Sequence, residues 1–418
     1  MSSIILPKAL SPEEKIVAMR EDAKFEVASD SDAENTALLC ADGIKGKASP
    51  PKIPKLFLAS GCVFNCAYCG CRCGRDRKDN YCNTPRELAS LAVEAAKNNG
   101  HGVFVSSAIY KNADYTQELI AESVRIMREE LLYTGFLHAK VMPGADSLLI
   151  ARTGKYADRL SVNIEVAQSS GYNRIAKQKN KDNILTPMRD ISDHILEAKY
   201  ERVKFATSQT TQLMAGSTGE DDRTIMTLSK ALYRKYRLKR VYYTAFQYRH
   251  EAKGYENENL TYTVTPYWRM ARLYQADRLL TLYGFTPDDV TPADDPFLRE
   301  DIDPKAAWAL RHMDMYPVEV NTADFDTLIR VPGIGITYAN RIIAVRRHCA
   351  VTHDILRKLN IPLKKCRYFI TCGGRYEGGD ALFSENLRGY LTSCGKQLSI
   401  SDSLSAGEPS TLESKILL

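Results

Sequence analysis

The run Leu56-Phe57-Leu58-Ala59-Ser60-Gly61-Cys62-Val63-Phe64-Asn65-Cys66-Ala67-Tyr68-Cys69 starts as an apolar strand and turns at once into three cysteines. Cys-x3-Cys-x2-Cys spacing lets one short loop wrap three thiolates around a single object. Soft thiolates suit iron–sulfur clusters and zinc. Three ligands would hold three irons of a [4Fe–4S] cluster and leave the fourth open to a small molecule. Two other readings stand beside this one. A structural zinc loop usually presents paired cysteine halves far apart, and three buried cysteines can also be inert.

Downstream the chain alternates strand-like and helical runs. Strands are predicted at Leu56–Leu58, Gly102–Ser106, Phe136–Val141, Arg159–Glu165, Val203–Thr207 and Arg240–Phe246, with helices at Pro85–Asn98, Tyr115–Leu132, Asp182–Tyr200 and Asp221–Tyr236. Thr84, Pro85 and Glu87 form the start signal of the first helix, a capping box with proline at its first position. Six strands alternating with helices imply an α/β fold with a parallel sheet and right-handed crossovers. A partial (β/α)6 TIM-like barrel fits, with its working face at the strands' C-terminal ends and the cysteine loop at its mouth. A doubly wound sheet is the competing arrangement, and periodicity does not separate the two.

The predicted organisation is a partly helical extension over 1–50, a barrel over 51–285, a linker over 286–304, a small all-α domain over 305–376 and a tail over 377–418. A long amphipathic helix, Thr265–Leu282, closes the barrel region. The start MSSIILPKALSPEEK has no basic segment followed by a long apolar core, and no window holds the roughly 20 apolar residues of a membrane helix. A cytoplasmic protein without membrane contact is expected. Eleven cysteines in such a protein, six of them between Cys62 and Cys82, favour metal or cluster ligation over disulfides.

The net charge of +6 has a location. Between Val318 and Tyr376, ten Lys/Arg stand against four Asp/Glu, so the remainder of the chain is balanced. A basic patch confined to one segment points to a local polyanion site. The same segment contains a helical hairpin. Asn321 is read as the cap of a short helix with Phe325, Leu328 and Ile329 on its apolar face. Val331-Pro332-Gly333-Ile334-Gly335 makes a tight turn, and a second helix runs from about Thr337 with Ala339, Ile342 and Ile343 inward. Gly333, Ile334 and Gly335 expose amide groups at a helix N-terminus, which suits a phosphate, with Arg341, Arg346 and Arg347 one or two turns away. Leu356–Phe369 reads as an incomplete second hairpin, and Cys366 and Cys372 as buried thiols.

Cys71, Cys73 and Cys82 form a second group, either another metal site or redox relay, or incidental thiols. Arg72, Arg75, Arg77 and Lys78 make the same loop basic, for steering a polyanion or simply as a solvated surface. Tyr242, Tyr243, Phe246 and Tyr248 either stack a base or line the barrel core.

The cysteine loop, with an aromatic residue before its third cysteine, closely resembles that of the radical S-adenosylmethionine (SAM) superfamily. The resemblance implies a [4Fe–4S] cluster on Cys62, Cys66 and Cys69, with SAM chelated by the fourth iron and cleaved to a 5′-deoxyadenosyl radical. It places Tyr68 near the adenine and Ser106 and Ser107 near the SAM amino group. Asn163 and Glu165 become ribose or amino-group partners at the end of the fourth strand. Gln209, Thr210 and Gln212 then lie near adenine at the end of the fifth. Ser106-Ser107-Ala108 departs from the Gly-Gly-Glu of many members. No catalytic side chain is singled out.

The segment Asn321–Arg347 resembles the helix-hairpin-helix motif, which grips the DNA backbone without reading bases. Over roughly residues 10–375 the chain resembles an uncharacterised prokaryotic family described as radical SAM proteins of DNA modification or repair, associated with a partner resembling uracil-DNA glycosylase. The matching stretches include Tyr156–Glu165, Asp222–Phe246, Arg272–Phe285, Asp303–His312, Val331–Ile342 and Arg367–Gly374. The Cys71/Cys73/Cys82 group is the departure. The resemblance implies an enzyme acting on nucleic acid, foremost DNA, fed by an electron donor such as flavodoxin or ferredoxin. Radical modification of tRNA or another RNA, and a non-catalytic iron–sulfur DNA-binding protein, are the alternatives.

Overall fold

Six short parallel strands hydrogen-bond in the order in which they occur along the chain: β1 (Lys55–Phe57), β2 (Val103–Ser106), β3 (Leu137–Lys140), β4 (Arg159–Ser161), β5 (Ser208–Ala215) and β6 (Arg240–Ala245). This computed structural model describes residues 11–23, 26–27, 53–73, 80–99, 102–246, 255, 265–380 and 387–392. The register runs Leu56 to Val105, Val105 to Ala139, Ala139 to Leu160 and Leu160 to Gln209. Crossovers that always step the same way curl a sheet into a barrel wall, whereas a doubly wound sheet reverses direction partway. The fold is therefore a partial (β/α)6 barrel.

Helices α1 (Pro12–Ala23), α2 (Pro85–Asn99), α3 (Ala113–Arg125), α4 (Ser147–Tyr156), α5 (Ser170–Ile175), α6 (Lys181–Glu201) and α7 (Asp222–Tyr236) accompany the sheet. The expected box starts α2: Thr84 N–H donates to Glu87 Oε2 at 2.8 Å, and Glu87 N–H donates to Thr84 Oγ1 at 3.2 Å. Strand side chains such as Phe104, Val105, Leu137, Ala139 and Leu160 are fully buried. Burying each of the larger ones contributes about 1.5–3 kcal/mol. At the base of the wall, Arg128 donates to Asp158 Oδ2 at 2.8 Å, and the same oxygen accepts Leu137 N–H at 2.7 Å, which fixes where β3 begins.

The fifth strand lies later than its predicted place. Val203–Thr207 is a connector: Arg202, at φ 58°, ends α6, and Ala206 and Thr207 donate N–H groups to Gly154 and Asp158 carbonyls. The strand is instead the polar run that follows, Ser208–Ala215. Its side chains are satisfied inside the fold, as Gln209 Nε2 donates to the Met188 and Tyr236 carbonyls at 3.1 and 2.6 Å.

The chain forms two compact units. The described residues up to Glu220, with Ala231–Tyr267, make the first; Asp221–Lys230 and the described residues from Trp268 onward make the second. Helix α8 (Tyr267–Leu282), expected to close the barrel region, thus belongs from Trp268 to the second unit. The start of α7 belongs there because Asp222 accepts from Arg269 Nε at 2.8 Å and from Leu298 N–H at 2.9 Å. The acidic stretch expected as a linker carries α9 (Pro287–Val290), capped by Thr286. There follow α10 (Pro304–Arg311), β7 (Val318–Glu319), α11 (Phe325–Arg330), α12 (Ile336–Val345), α13 (His353–Lys358), α14 (Leu363–Cys366), β8 (Ile370–Cys372) and β9 (Arg375–Tyr376). The three strands add a small sheet, in the order β7-β8-β9, to a region expected to be wholly helical. Within the expected tail, α15 (Leu387–Thr392) is described, and Arg388 pairs with Asp301 at 2.6 Å. Among the described residues, no helix is long and apolar enough to cross a membrane.

Candidate functional site

Leu58 N–H donates to the Ser106 carbonyl, after which the chain leaves the sheet and coils over the C-terminal ends of the strands. Backbone hydrogen bonds pin this coil. Cys62 N–H donates to the Cys71 carbonyl at 2.9 Å, Val63 N–H to Ile109, Ala67 N–H to Ile175 and Cys73 N–H to Phe64. Cys62, Cys66 and Cys69 thereby line one cavity of about 160 Å³, together with Cys71. Phe64 N–H donates to Cys62 Sγ at 3.3 Å and Cys71 N–H to Cys69 Sγ at 3.4 Å. Burial pushes the Cys62 and Cys66 thiols up, to about 11 and about 12. Cys69 is pushed down to about 7, first by a hydrogen bond with the Cys71 side chain and against the effect of burial.

This donor set fits an iron–sulfur cluster. Soft thiolates with amide N–H groups aimed at their sulfurs are the ligands such clusters take. Among the described residues, no three His, Cys, Asp or Glu converge on one point as ligands of a single metal ion.

Around the thiols stand buried charges. Lys179 Nζ donates to Glu165 Oε1 at 2.8 Å and to the Tyr68 hydroxyl at 3.2 Å. Burial opposes the charge of Lys179, but Glu165 and the cysteines hold its pKa above the ordinary lysine value. Glu165 has φ 63°, a left-handed conformation that lets its backbone bridge Gln212 and Leu213–Met214 while its carboxylate enters the cavity. Lys140, at the end of β3, donates to Glu26 Oε2 at 2.8 Å, and Val27 N–H donates to Gln212 Oε1 at 3.1 Å.

The structure thus brings Tyr68, Ser107, Asn163, Glu165 and Gln212 to the cavity with the three cysteines. Ser106, Gln209 and Thr210 do not line it. Ser106 is fully buried, with an Oγ that meets no hydrogen-bond partner among the described residues. Gln209 and Thr210 sit near the start of β5, not at its end, because the strand begins five residues later than predicted. Asp22, Glu26, Lys140 and Lys179 also line the cavity, and sequence reasoning passed over them. A lysine inside the apolar run Leu137–Met142 was the available signal for Lys140. None marked Lys179 within its basic loop.

Cys73 and Cys82 are exposed and lie outside the cavity lining. Arg72 is buried and donates to the Cys69 carbonyl at 3.2 Å, which ties it to the loop and not to solvent. Arg75, Arg77, Lys78 and Tyr248 lie outside the described residues. Tyr242, Tyr243 and Phe246 are buried, as barrel-core residues are.

In the second unit, Asp324 caps α11, accepting Thr327 N–H at 2.7 Å. Asn321, predicted as that cap, ties the segment to Val351 in both directions, at 3.0 and 2.7 Å. Gly333 has φ 87°, and a Cβ there would press on Cys366 N at 3.2 Å. Gly335 is the N-cap of α12. The turn rests on a buried lysine and a half-buried tyrosine. Lys305 Nζ donates to the Ile334 carbonyl at 2.5 Å, and the Tyr283 hydroxyl accepts Ile336 N–H. Burial pushes Lys305 down to about 7. The three arginines differ in use. Arg346 donates to the Val320 and Ala323 carbonyls at 3.0 and 2.5 Å. Arg341 is exposed and reaches the Leu359 carbonyl at 3.2 Å, and Arg347 is exposed. Cys366 and Cys372 are buried, as expected.

The helix-hairpin-helix motif family matches residues 316–353. No curated protein matches the chain by sequence. Among solved structures, HydG, a maturase of the [FeFe]-hydrogenase, is similar over 64% of this chain and 62% of its own, with 14% identity and a TM-score of 0.41. The FeFe-hydrogenase maturase HydG from Carboxydothermus hydrogenoformans is similar over 65% and 64%, with 16% identity and a TM-score of 0.42. The radical S-adenosylmethionine methyltransferase TsrM from Kitasatospora setae, solved with cobalamin and a [4Fe–4S] cluster, is similar over 46% and 36%, with 11% identity and a TM-score of 0.33. The chain spans less than two thirds of the length of each of these proteins.

Proposed function

We propose that the chain is a radical SAM enzyme that acts on nucleic acid, with DNA as its substrate in modification or repair. The observation that carries this reading is the meeting of Cys62, Cys66 and Cys69 in one cavity at the strands' C-terminal ends, with N–H groups directed at Cys62 and Cys69. Those thiolates would hold three irons of a [4Fe–4S] cluster. Bound there with SAM, the cluster supplies one-electron cleavage of the sulfonium to a radical that abstracts hydrogen from substrate. The protein's own part is to bind, orient and exclude water. Ser107, Asn163 and Gln212 offer polar atoms to SAM, while Lys179 holds Glu165 and Tyr68 in fixed positions. The hairpin would grip phosphates at its Gly333–Gly335 turn and through Arg341 and Arg347, without reading bases. An electron donor such as flavodoxin or ferredoxin, and a partner resembling uracil-DNA glycosylase, belong to the same reading.

The test is anaerobic reconstitution with iron and sulfide, followed by chromatography for 5′-deoxyadenosine after adding dithionite and SAM. Production above a Cys66→Ala control is expected; equal traces from both would end the enzyme reading. Binding to duplex DNA and to structured RNA across a salt series separates the two substrate classes.

A further inference from the structure

Between the cavity and α3 the chain makes a short, heavily braced turn. Ile109 lines the cavity, and its carbonyl accepts Val63 N–H from the cysteine loop at 2.9 Å. Tyr110 and Lys111 follow, leading into Asn112, which caps α3 by accepting Tyr115 N–H at 2.8 Å. Thr116, fully buried, ties the turn shut. Its Oγ1 accepts Tyr110 N–H at 2.9 Å and lies 2.8 Å from both the Tyr110 and the Asn112 carbonyl. Lys111 is thereby held at φ 64°, a left-handed backbone that is strained in a residue with a side chain and that collects at ligand-binding turns. The turn presents two half-buried tyrosine rings, with centroids 6.2 Å apart and planes at 44°, beneath an exposed lysine. Lys111 Nζ stands 4.3 Å from the Tyr115 centroid and 5.7 Å from that of Tyr110.

We propose that Tyr110, Lys111 and Tyr115 form a binding site for one unpaired nucleotide of DNA: the base stacks on a tyrosine face, and Lys111 takes a flanking phosphate. The site rests on the reading of the chain as acting on DNA, and it names the state in which DNA comes to the cavity. A tyrosine face stacks on any base, whatever the sequence, but only on a base that has lost a stacking neighbour. Inside a duplex both faces of every base are covered. A reacting atom held in that stack cannot enter a cavity, so its nucleotide has to leave the stack. An ammonium over the rings is drawn by their negative faces, and the same position sets it beside the backbone of a nucleotide lying there. The local charges agree. Asp114, the nearest carboxylate along the chain, is engaged within the fold, accepting Asp146 N–H at 2.8 Å.

The test follows the fluorescence anisotropy of a labelled single-stranded oligodeoxynucleotide of mixed sequence, of its duplex, and of single-stranded RNA of the same sequence. The proteins are the full chain, the double variant Tyr110→Leu, Tyr115→Leu, which keeps apolar bulk without a ring, and Lys111→Gly, which suits the left-handed backbone. The leucine pair should bind single-stranded DNA about five- to a hundredfold more weakly, with duplex binding unchanged. Lys111→Gly should flatten the logarithmic salt slope of single-strand binding by about 0.7 and keep the duplex affinity. Single-strand binding equal to the parent's in both variants would overturn the site and leave the DNA reading in place. Equal losses on duplex and single strand would overturn its preference for an unpaired nucleotide, and a loss confined to RNA would overturn DNA as its ligand. A parent chain that binds neither form of DNA would remove the underlying reading together with the site. Should the leucine pair fail to fold in a thermal melt, Lys111→Gly, which alters an exposed side chain, still decides through its salt slope.

Discussion

Glu165 and Lys179 meet at 2.8 Å inside the cavity, with side chains only 6% and 11% exposed. Both charges are largely withdrawn from solvent, so each depends on the other. Lys179→Met should leave a buried carboxylate uncompensated and cost about 3–5 kcal/mol in a denaturant titration. The double variant Lys179→Met, Glu165→Gln should recover much of that loss. Equal stability of the single and double variants would show that the pair is not coupled.

The three hairpin arginines should separate in a single experiment. Arg347→Ala, altering an exposed side chain, should weaken duplex DNA binding and flatten its logarithmic salt slope by about 0.9 without changing the melting temperature. Arg346→Ala removes the donor to two carbonyls and should instead destabilise the unit by about 1–3 kcal/mol. A filter-binding salt series beside a thermal melt distinguishes these outcomes.

Glu319 accepts N–H groups from Asn321, Gly373 and Gly374, at 3.0, 3.0 and 2.8 Å. Burial opposes its charge, but these bonds win and hold the carboxyl down at about 2, against an ordinary value of 4.5. The folded pKa is depressed, so this contribution is fully present above about 4.5 and is lost as pH falls through about 2. A Glu319→Gln variant should lose part of the neutral-pH stability and show a flatter stability profile between those limits in urea melts. Identical profiles would remove Glu319 as the clamp of the β8–β9 turn.

Lys305 also has its pKa lowered, but here the fold disfavours the charged form. Its pKa is about 7 in the folded chain and 10.5 for an ordinary lysine. Between these values the unfolded chain binds the extra proton, so stability rises with pH across that window. Relative to Lys305→Met, the parent should gain stability from about pH 7 to about 10 and hold level below about 6. A parallel course for the two proteins would contradict the buried position of the amine.

Iron retention after reconstitution and gel filtration tests the cavity itself. Ala at Cys62, Cys66 or Cys69 should abolish the visible absorbance of the cluster, while Cys73→Ala and Cys82→Ala should leave it intact. Loss of the cluster in either of the last two would place a ligand outside the cavity.

The local parts of this molecule were legible in its sequence, and the convergent ones were not. The box at Thr84 and Glu87 spans four residues and was read directly. The alternation of apolar runs with helices was enough for a parallel sheet. Whether its crossovers reverse is a property of strand order, which periodicity does not encode. The fifth strand was misplaced because Gln209, Thr210, Thr211 and Gln212 look like a solvated turn. Their partners, Met188, Tyr236, Val162 and Thr244, come from elsewhere in the fold. Asn321 and Asp324 are both good caps, and only the chain's path chooses Asp324. Glu26 and Lys140, 114 residues apart, carry no mark of their pairing.

The six-stranded wall has two ends, β1 and β6, which are not neighbours in the sheet. A closed ring of strands can be approached only along its axis, which restricts its reactants to what fits through the top. Helix α1 packs against β1, and Lys55 Nζ on that strand donates to the Glu26 carbonyl at 2.5 Å. The segment that precedes the sheet in the chain, and not a seventh strand, therefore stands beside β1.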